Sequence, residues 1–554
     1  MFVQEDAPMP SNIYDFDYAI IGSGFGGSVS AHRLTQKGYK VGVFEMGKRY
    51  DQTNFPKTNW NARKFLWLPK LGLQGFFRMS LFKHVFVLSG VGVGGGSLVY
   101  ASTLLVPPKT VWKDTQWAHL KDWMDEMPQH YEEAKRMLGV ATNKYMGRGD
   151  KLLREAARIQ GVEDTFYTLD VGIYFGKPGE TVPDPYFDGE GPARTGCTFC
   201  GGCMVGCQHG AKNTLDKNYL YFAEKHGATV LAESKVVDIR PINGKADGAD
   251  GYEFDVVNPF AWFKRVKTYR ARGVILSAGV MGTVSLLHKL KLTGSLPHLS
   301  ECIGDFVRTN SEAIIGVKLR EKDIDISEGV AIGSGVYIDE NTHIEAVRYS
   351  KGSDAIGTLS TLLTGSTPGV PRALTWLATA LKRPGHFFSS LNPFRFSTNT
   401  LILLVMQTVE GSLKMKLKRG LLGDRLVTEG ERIPAYIPQA NDFAQKMAEH
   451  FDGIPQTAIT EIFFNVPTTA HILGGAVMGA NPDEGVIDSE NRVFNYKNMY
   501  VCDGSMIGAN LGVNPSLTIT ALAEHAMSHI PPVDKNEWNA EGQISSSRQP
   551  MLTA

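Results

Sequence analysis

The chain has 554 residues, with 57 basic side chains against 57 acidic ones and a formal charge of zero. That length allows two domains with large cores, and the balanced charge offers no basic excess for a nucleic-acid backbone. The opening MFVQEDAPMPSNIY has neither a basic nor an apolar signal region, and no run of about 18 apolar residues follows, so neither a secretory signal nor a spanning helix is expected.

Asp17 to Ile21 (DYAII) reads as a short strand running into Gly22-Ser23-Gly24-Phe25-Gly26-Gly27. A helical stretch to Gly38 and a second strand ending at Glu45 follow. Strand, G-x-G-x-x-G, helix, strand and acid together mark a dinucleotide site: Gly22, Gly24 and Gly27 with Phe25 let backbone N–H groups approach a pyrophosphate at the helix N-terminus. Glu45, 23 residues after Gly22, is placed to accept hydrogen bonds from a ribose diol. A Gly-rich turn of another α/β protein is the plain alternative.

Four of the six cysteines then fall within eleven residues, as Cys197-x2-Cys200-x2-Cys203-x3-Cys207. This is the spacing of a bacterial ferredoxin run, although Gln208, not Pro, follows the last Cys and no second run exists. An iron–sulfur cluster, [4Fe-4S] or [3Fe-4S], is the first reading. A structural zinc site and disulfides or free thiols remain open. His209 is placed to hydrogen-bond a cluster sulfur. Cys502 sits in an apolar strand and reads as core.

Ala228 to Arg240 reads as two strands, and Val274 to Gly279 as a buried strand with a turn, with Gly282 opening the next helix. Ala355 to Val409 contains no Asp or Glu. It interleaves Arg372, Lys382, Arg383 and Arg395 with Trp376, Phe387, Phe388, Phe394 and several Leu, the composition of a membrane-interface segment centred on 370–396. Phe65 to Lys70 with Phe76-Phe77-Arg78 has the same flavour. An apolar lid or core segment is the alternative for both. Later come Thr469-Ala470-His471-Ile472-Leu473-Gly474-Gly475, the strand-like Asn498 to Ser505 ending in Asp503-Gly504, and Gly512-Val513-Asn514-Pro515 before a helical run from Ser516 to His529.

These motifs, with Gly90-Val91-Gly92-Val93-Gly94-Gly95-Gly96-Ser97-Leu98-Val99, resemble the glucose-methanol-choline (GMC) oxidoreductases over residues 15–532. The similarity is greatest to the bacterial cholesterol oxidase-like branch. It implies an α/β chain, α+β overall: a Rossmann-like FAD-binding domain (15–110, 191–310 and 461–532) interleaved with a substrate domain on an antiparallel sheet (111–190 and 311–460). Strands at Ala313–Leu319, Thr400–Thr408 and Leu413–Leu417 are expected to roof the pocket, with loose tails at 1–14 and 533–554.

The resemblance further implies that FAD is held by the fingerprint, by Gly90, Gly94, Gly95, Ser97 and Leu98, by a backbone contact at Val236 or Val237, and by Ala278, Gly279, Asp503, Gly504, Asn514 and Pro515. Leu98-Val99-Tyr100-Ala101 offers no His for covalent attachment, so the FAD is expected to be noncovalent. His471 is the implied base, and imidazole chemistry agrees, since it titrates near neutrality. Asn514 is implied to orient the substrate hydroxyl. Glu345, in His343-Ile344-Glu345, falls where cholesterol oxidases carry an isomerising carboxylate; a solvated strand residue is the alternative. His84 and His525 read as structural.

The expected activity is oxidation of a lipophilic alcohol, such as a sterol or a long-chain or isoprenoid alcohol. Electrons would leave through the cluster to ferredoxin, a cytochrome or a quinone, or directly to O2 if the Cys loop is structural. A lipid lyase or decarboxylase and a non-catalytic electron-transfer or membrane-binding protein are the other readings. The expected location is cytoplasmic, peripheral on the inner membrane face.

Overall fold

The computed structural model describes residues 14–420 and 423–534. A seven-stranded mixed sheet carries Thr229–Leu231, Val41–Phe44, Phe16–Ile21, Val266–Leu276, Tyr252–Val257 and Lys235–Pro241 in that spatial order, with Met499–Val501 also on Val266–Leu276. Val41–Phe44 is buried at every position and Phe16–Ile21 at all but one, the continuous apolar run of parallel strands covered on both faces. The pairing Ile20↔Ile275↔Tyr500 aligns the ends of three parallel strands. Ligand sites form beyond such strand ends in open α/β sheets. Helices Phe25–Gln36 and Ser516–Ser528 pack together, with Arg33 gripping Glu524 through two contacts of 2.7 Å.

A second seven-stranded sheet is antiparallel throughout, in the order Ser360–Leu362, Gly453–Ala458, Ala313–Leu319, Thr400–Gln407, Thr342–Val347, Ile332–Tyr337 and Tyr167–Thr168. Strand period divides its central member between two cores. Leu401, Leu403 and Val405 pack with Phe443 and Met447 of helix Pro438–His450 and Leu153 of helix Arg148–Ile159. Ile402, Leu404 and Met406 face the other core. Buried Asp150 locks the second helix to this sheet by accepting from Ser334 Oγ at 2.7 Å and Arg348 Nη2 at 2.6 Å.

Three local expectations change. Leu413–Leu417 is not part of the roof: Lys414–Lys418 pairs with Arg425–Glu429 in a separate ribbon. The helix after Val274–Gly279 begins at Gly279, at φ +69°, and runs to Thr293, so Gly282 lies inside it. Phe65, Phe76 and Phe77 are core, with the Phe65 and Phe77 rings stacked at 4.8 Å, whereas Leu68 between them is 45% exposed. The tail readings fall mostly outside the described residues. At their inner ends Tyr14 Oη donates to Asp250 O, and Val533 N to Lys37 O. Among the described residues no helix is long and apolar enough to cross a membrane.

Candidate active site

The first glycine turn is built by close approach. A Cβ on Gly22, at φ +104°, would lie 2.3 Å from Ser277 O, and one on Gly26 would lie 1.7 Å from Cys502 O. A Cβ on Gly95 would meet the Gly24 Cα at 2.6 Å, so the second glycine loop rests on the first. Gly24 itself faces open space and caps helix Phe25–Gln36, whose first turn has no acidic side chain. The helix therefore presents free N–H groups and its positive end to a cavity of about 770 Å³.

Of the expected cofactor residues, Gly22, Gly24, Phe25, Glu45, Gly90, Gly95, Val237, Ala278, Gly279, Asp503, Gly504, Asn514 and Pro515 line this cavity. Gly27, Gly94, Ser97 and Leu98 are absent from the wall and brace it instead. Ser97, fully buried, donates to Gly94 O at 2.7 Å and accepts from Leu215 N at 3.1 Å. Glu45 is already bonded: it accepts from Ser23 N and Oγ, Gly47 N and Gly92 N, which ties the two glycine loops together. Burial raises its carboxyl pKa against those hydrogen bonds. Glycines that only close contact explains, a bare helix N-terminus and a wall drawn from three chain regions fit FAD.

His471 and Asn514 stand in the wall of the same cavity. Asn514 precedes Pro515 at the head of helix Ser516–Ser528, and its Nδ2 stands 3.5 Å from His471 Nε2. It also donates to Glu345 Oε2 at 3.2 Å. Glu345 is fully buried in strand Thr342–Val347, so it is no solvated strand residue. It does not line the cavity and meets it through Asn514.

Sequence reasoning missed Glu312. Its Oε2 lies 2.9 Å from His471 Nδ1, while Thr469 Oγ1 and Ala470 N donate to its carboxylate. Glu312 thus holds the Nδ1 side of the ring and leaves Nε2 turned toward Asn514. The pair spans 159 positions, beyond local pattern; the only hint was a carboxylate opening the apolar strand Ala313–Leu319.

Burial alone would lower the His471 pKa, but the Glu312 carboxylate overrides it and raises the pKa above the ordinary value. Burial pushes Glu345 up to about 8 against the Asn514 hydrogen bond, so near neutrality it carries its proton. His84 bonds Thr428 Oγ1 at 2.9 Å, a structural role.

All six cysteines are free, so no disulfide forms in the run. Cys197 and Cys203 are buried, Cys207 is half-buried and Cys200 exposed. Tetrahedral zinc, with sulfurs about 2.3 Å away, needs them about 3.8 Å apart. Among the described residues no three Cys sulfurs lie within 4.8 Å of one another, so zinc spacing is absent. Burial pushes the Cys203 thiol up to about 11 and Cys197 further. Met204, inside the run, lines the flavin cavity. Buried Lys212 donates to Cys203 O, Leu98 O and Tyr100 O, joining this loop to the second glycine loop.

Family profiles described as GMC oxidoreductase match residues 193–298 and 419–523, and one for an NAD(P)-binding Rossmann-like domain matches 20–50. A cholesterol oxidase of Acinetobacter baumannii is 55% identical over 531 residues, covering 94% of this chain and 96% of that protein. The chain belongs to the GMC oxidoreductases. A cholesterol oxidase of Mycobacterium tuberculosis (strain CDC 1551 / Oshkosh) is 47% identical over 530 residues, covering 93% of this chain and 91% of the other. The crystal structure of pyridoxine 4-oxidase from Mesorbium loti shares the fold, with TM-score 0.62 at 14% identity, covering 92% of this chain and 98% of that one. This GMC oxidoreductase is an FAD-dependent enzyme that oxidises alcohols.

Proposed function

We propose that the protein oxidises a sterol-type secondary alcohol to its ketone, with His471 as base. The observation that carries this reading is the Glu312–His471–Asn514 row in the wall of a cavity that Ile314, Ile332, Val347, Ile402, Leu404 and Phe396 also line. Apolar walls take a hydrocarbon frame, and the polar row takes its one hydroxyl. The relatives named cholesterol oxidase support the substrate class.

Bound FAD supplies the hydride acceptor, held by the cavity residues named above. Glu312 favours the proton on His471 Nδ1 and leaves Nε2 to accept the substrate hydroxyl proton. The imidazolium so formed is stabilised by the Glu312 carboxylate, the division of labour of a catalytic triad. Asn514 donates from Nδ2 and fixes the hydroxyl, but an amide takes no proton at neutral pH. Glu345 stands behind Asn514, outside the cavity wall, and by accepting from that amide it positions Asn514.

We assign O2 as the acceptor, on the oxidase relatives. A second reading gives the Cys loop an electron exit. It is favoured by four thiols near enough to influence one another, one of them exposed, on a loop whose Met204 reaches the cavity. Their chemistry suits an iron–sulfur cluster, and iron and sulfide assays decide it.

The substrate would enter from a bilayer. Leu374, Leu377 and Leu381 share one face of helix Arg372–Lys382 and are 57%, 49% and 74% exposed, while Trp376 and Ala380 pack inward. Trp376 meets Phe463 edge-on at 4.9 Å, and the next residue, Phe464, is exposed and lines the cavity. A peripheral membrane contact through this helix follows from this reading.

The test is steady-state oxidation of cholesterol in detergent. Wild-type protein should yield ketone and peroxide, and His471→Ala should lower kcat by about 10²–10⁴-fold with FAD still bound. Unchanged turnover in that variant would remove His471 from the mechanism.

A further inference from the structure

Outside the cavity, two helices bring a second set of imidazoles and a carboxylate together. Glu126 and His130 lie one turn apart on helix Trp123–Leu138, and His525 and His529 one turn apart at the end of helix Ser516–Ser528. We propose that Glu126, His525 and His529 form a binding site for a borderline divalent transition cation such as zinc.

His525 Nε2 stands 3.2 Å from His529 Nε2 and 3.5 Å from Glu126 Oε1, and all three ligand atoms fall within 4.8 Å of one another. Ligands about 2.1 Å from tetrahedral zinc sit about 3.4 Å apart, so the spacing is already that of a metal's coordination edges. Two imidazoles at i and i+4 on one helix face with a carboxylate from a neighbouring element form a familiar donor set for such ions. His525 Nε2 and His529 Nε2 already face one another, with one proton shared between them.

His130 Nε2, 3.5 Å from the same Glu126 Oε1, is placed to hold that carboxylate toward His525. The Lys121 ammonium lies 3.0 Å from His525 Nε2, so this face already holds a positive charge. Lys121 is half-buried on the loop before the helix, and its four-carbon stem can turn the ammonium into solvent when a metal enters. Exposed His529 and half-buried Glu126 leave a way in, while buried His525 anchors the site. A cation here would bridge the first turn of helix Trp123–Leu138 to the last turn of the helix headed by Pro515 and Ser516, far from the four thiols in chain position.

Chelator-treated holoenzyme titrated calorimetrically with zinc chloride tests this, using His529→Ala and Glu126→Gln beside the wild type. Both replace groups that are not fully buried, so loss of folding is not expected. The wild type should bind one zinc equivalent more than either variant, and crystals should give an anomalous zinc peak among the three ligand atoms with N/O distances of about 2.0–2.2 Å. Lys121→Met should bind more tightly, through removal of a like charge. Equal zinc stoichiometry in wild type and both variants, or a peak only at the Cys197–Cys207 loop, would overturn the site.

Discussion

At His471 one carboxylate, Glu312, decides when the imidazole is a base. Glu312 holds its pKa above the ordinary value, so its basic form, and the rate through it, grows as pH rises through that raised pKa. Glu312→Gln removes the stabilising charge and leaves burial, which lowers the pKa. The acid limb of kcat/KM against pH should therefore move to lower pH, toward or below about 6.5. Turnover should drop by about 10–10³-fold, because the imidazolium formed in the reaction loses its counter-charge. A pH–rate profile on bound-FAD protein checks both effects. His471 and Asn514 were legible in sequence because each sits in a local motif, HILGG or GVNP. Glu312 was not: its partner lies across the fold, and nothing in Asn310-Ser311-Glu312 marks a charge as catalytic.

Among the elements, the turn between the first strand and first helix carries the strictest geometry. The Cβ of Gly26→Ala would sit 1.7 Å from Cys502 O. Helix Phe25–Gln36 would have to move away from Cys502, beside the cavity residues Asp503 and Gly504. We expect that variant to be purified with a markedly lower FAD content per chain, measured from the 450 nm absorbance of released flavin, and to lose about 1–3 kcal/mol of stability to overpacking. Sequence pattern found these elements because strand and helix periods differ and glycines punctuate them. It misplaced Leu413–Leu417, which alternates like a sheet strand. Alternation of side chains does not say which sheet a strand joins, and here the partner is the adjacent ribbon strand Arg425–Glu429.

For the whole molecule, the two sheets divide the work: the mixed sheet presents the glycine turns, and the antiparallel sheet turns Ile402 and Leu404 toward the cavity. The acid-free stretch was readable as amphipathic, and the structure keeps Leu381 exposed. Only tertiary packing could show that Phe65, Phe76 and Phe77, of similar composition, are interior. Leu381→Glu should slow oxidation of vesicle-held cholesterol several-fold and leave the rate in detergent micelles unchanged, since it touches bilayer contact alone.

The central claim, alcohol oxidation in this cavity with His471 as base, is tested most directly by anaerobic stopped-flow mixing of FAD-loaded protein with cholesterol. Rapid bleaching of the 450 nm flavin band in the wild type, slowed by about 10²–10⁴-fold in His471→Ala, is the predicted result. A flavin band that cholesterol leaves unbleached, or that bleaches equally fast in both proteins, would contradict the account.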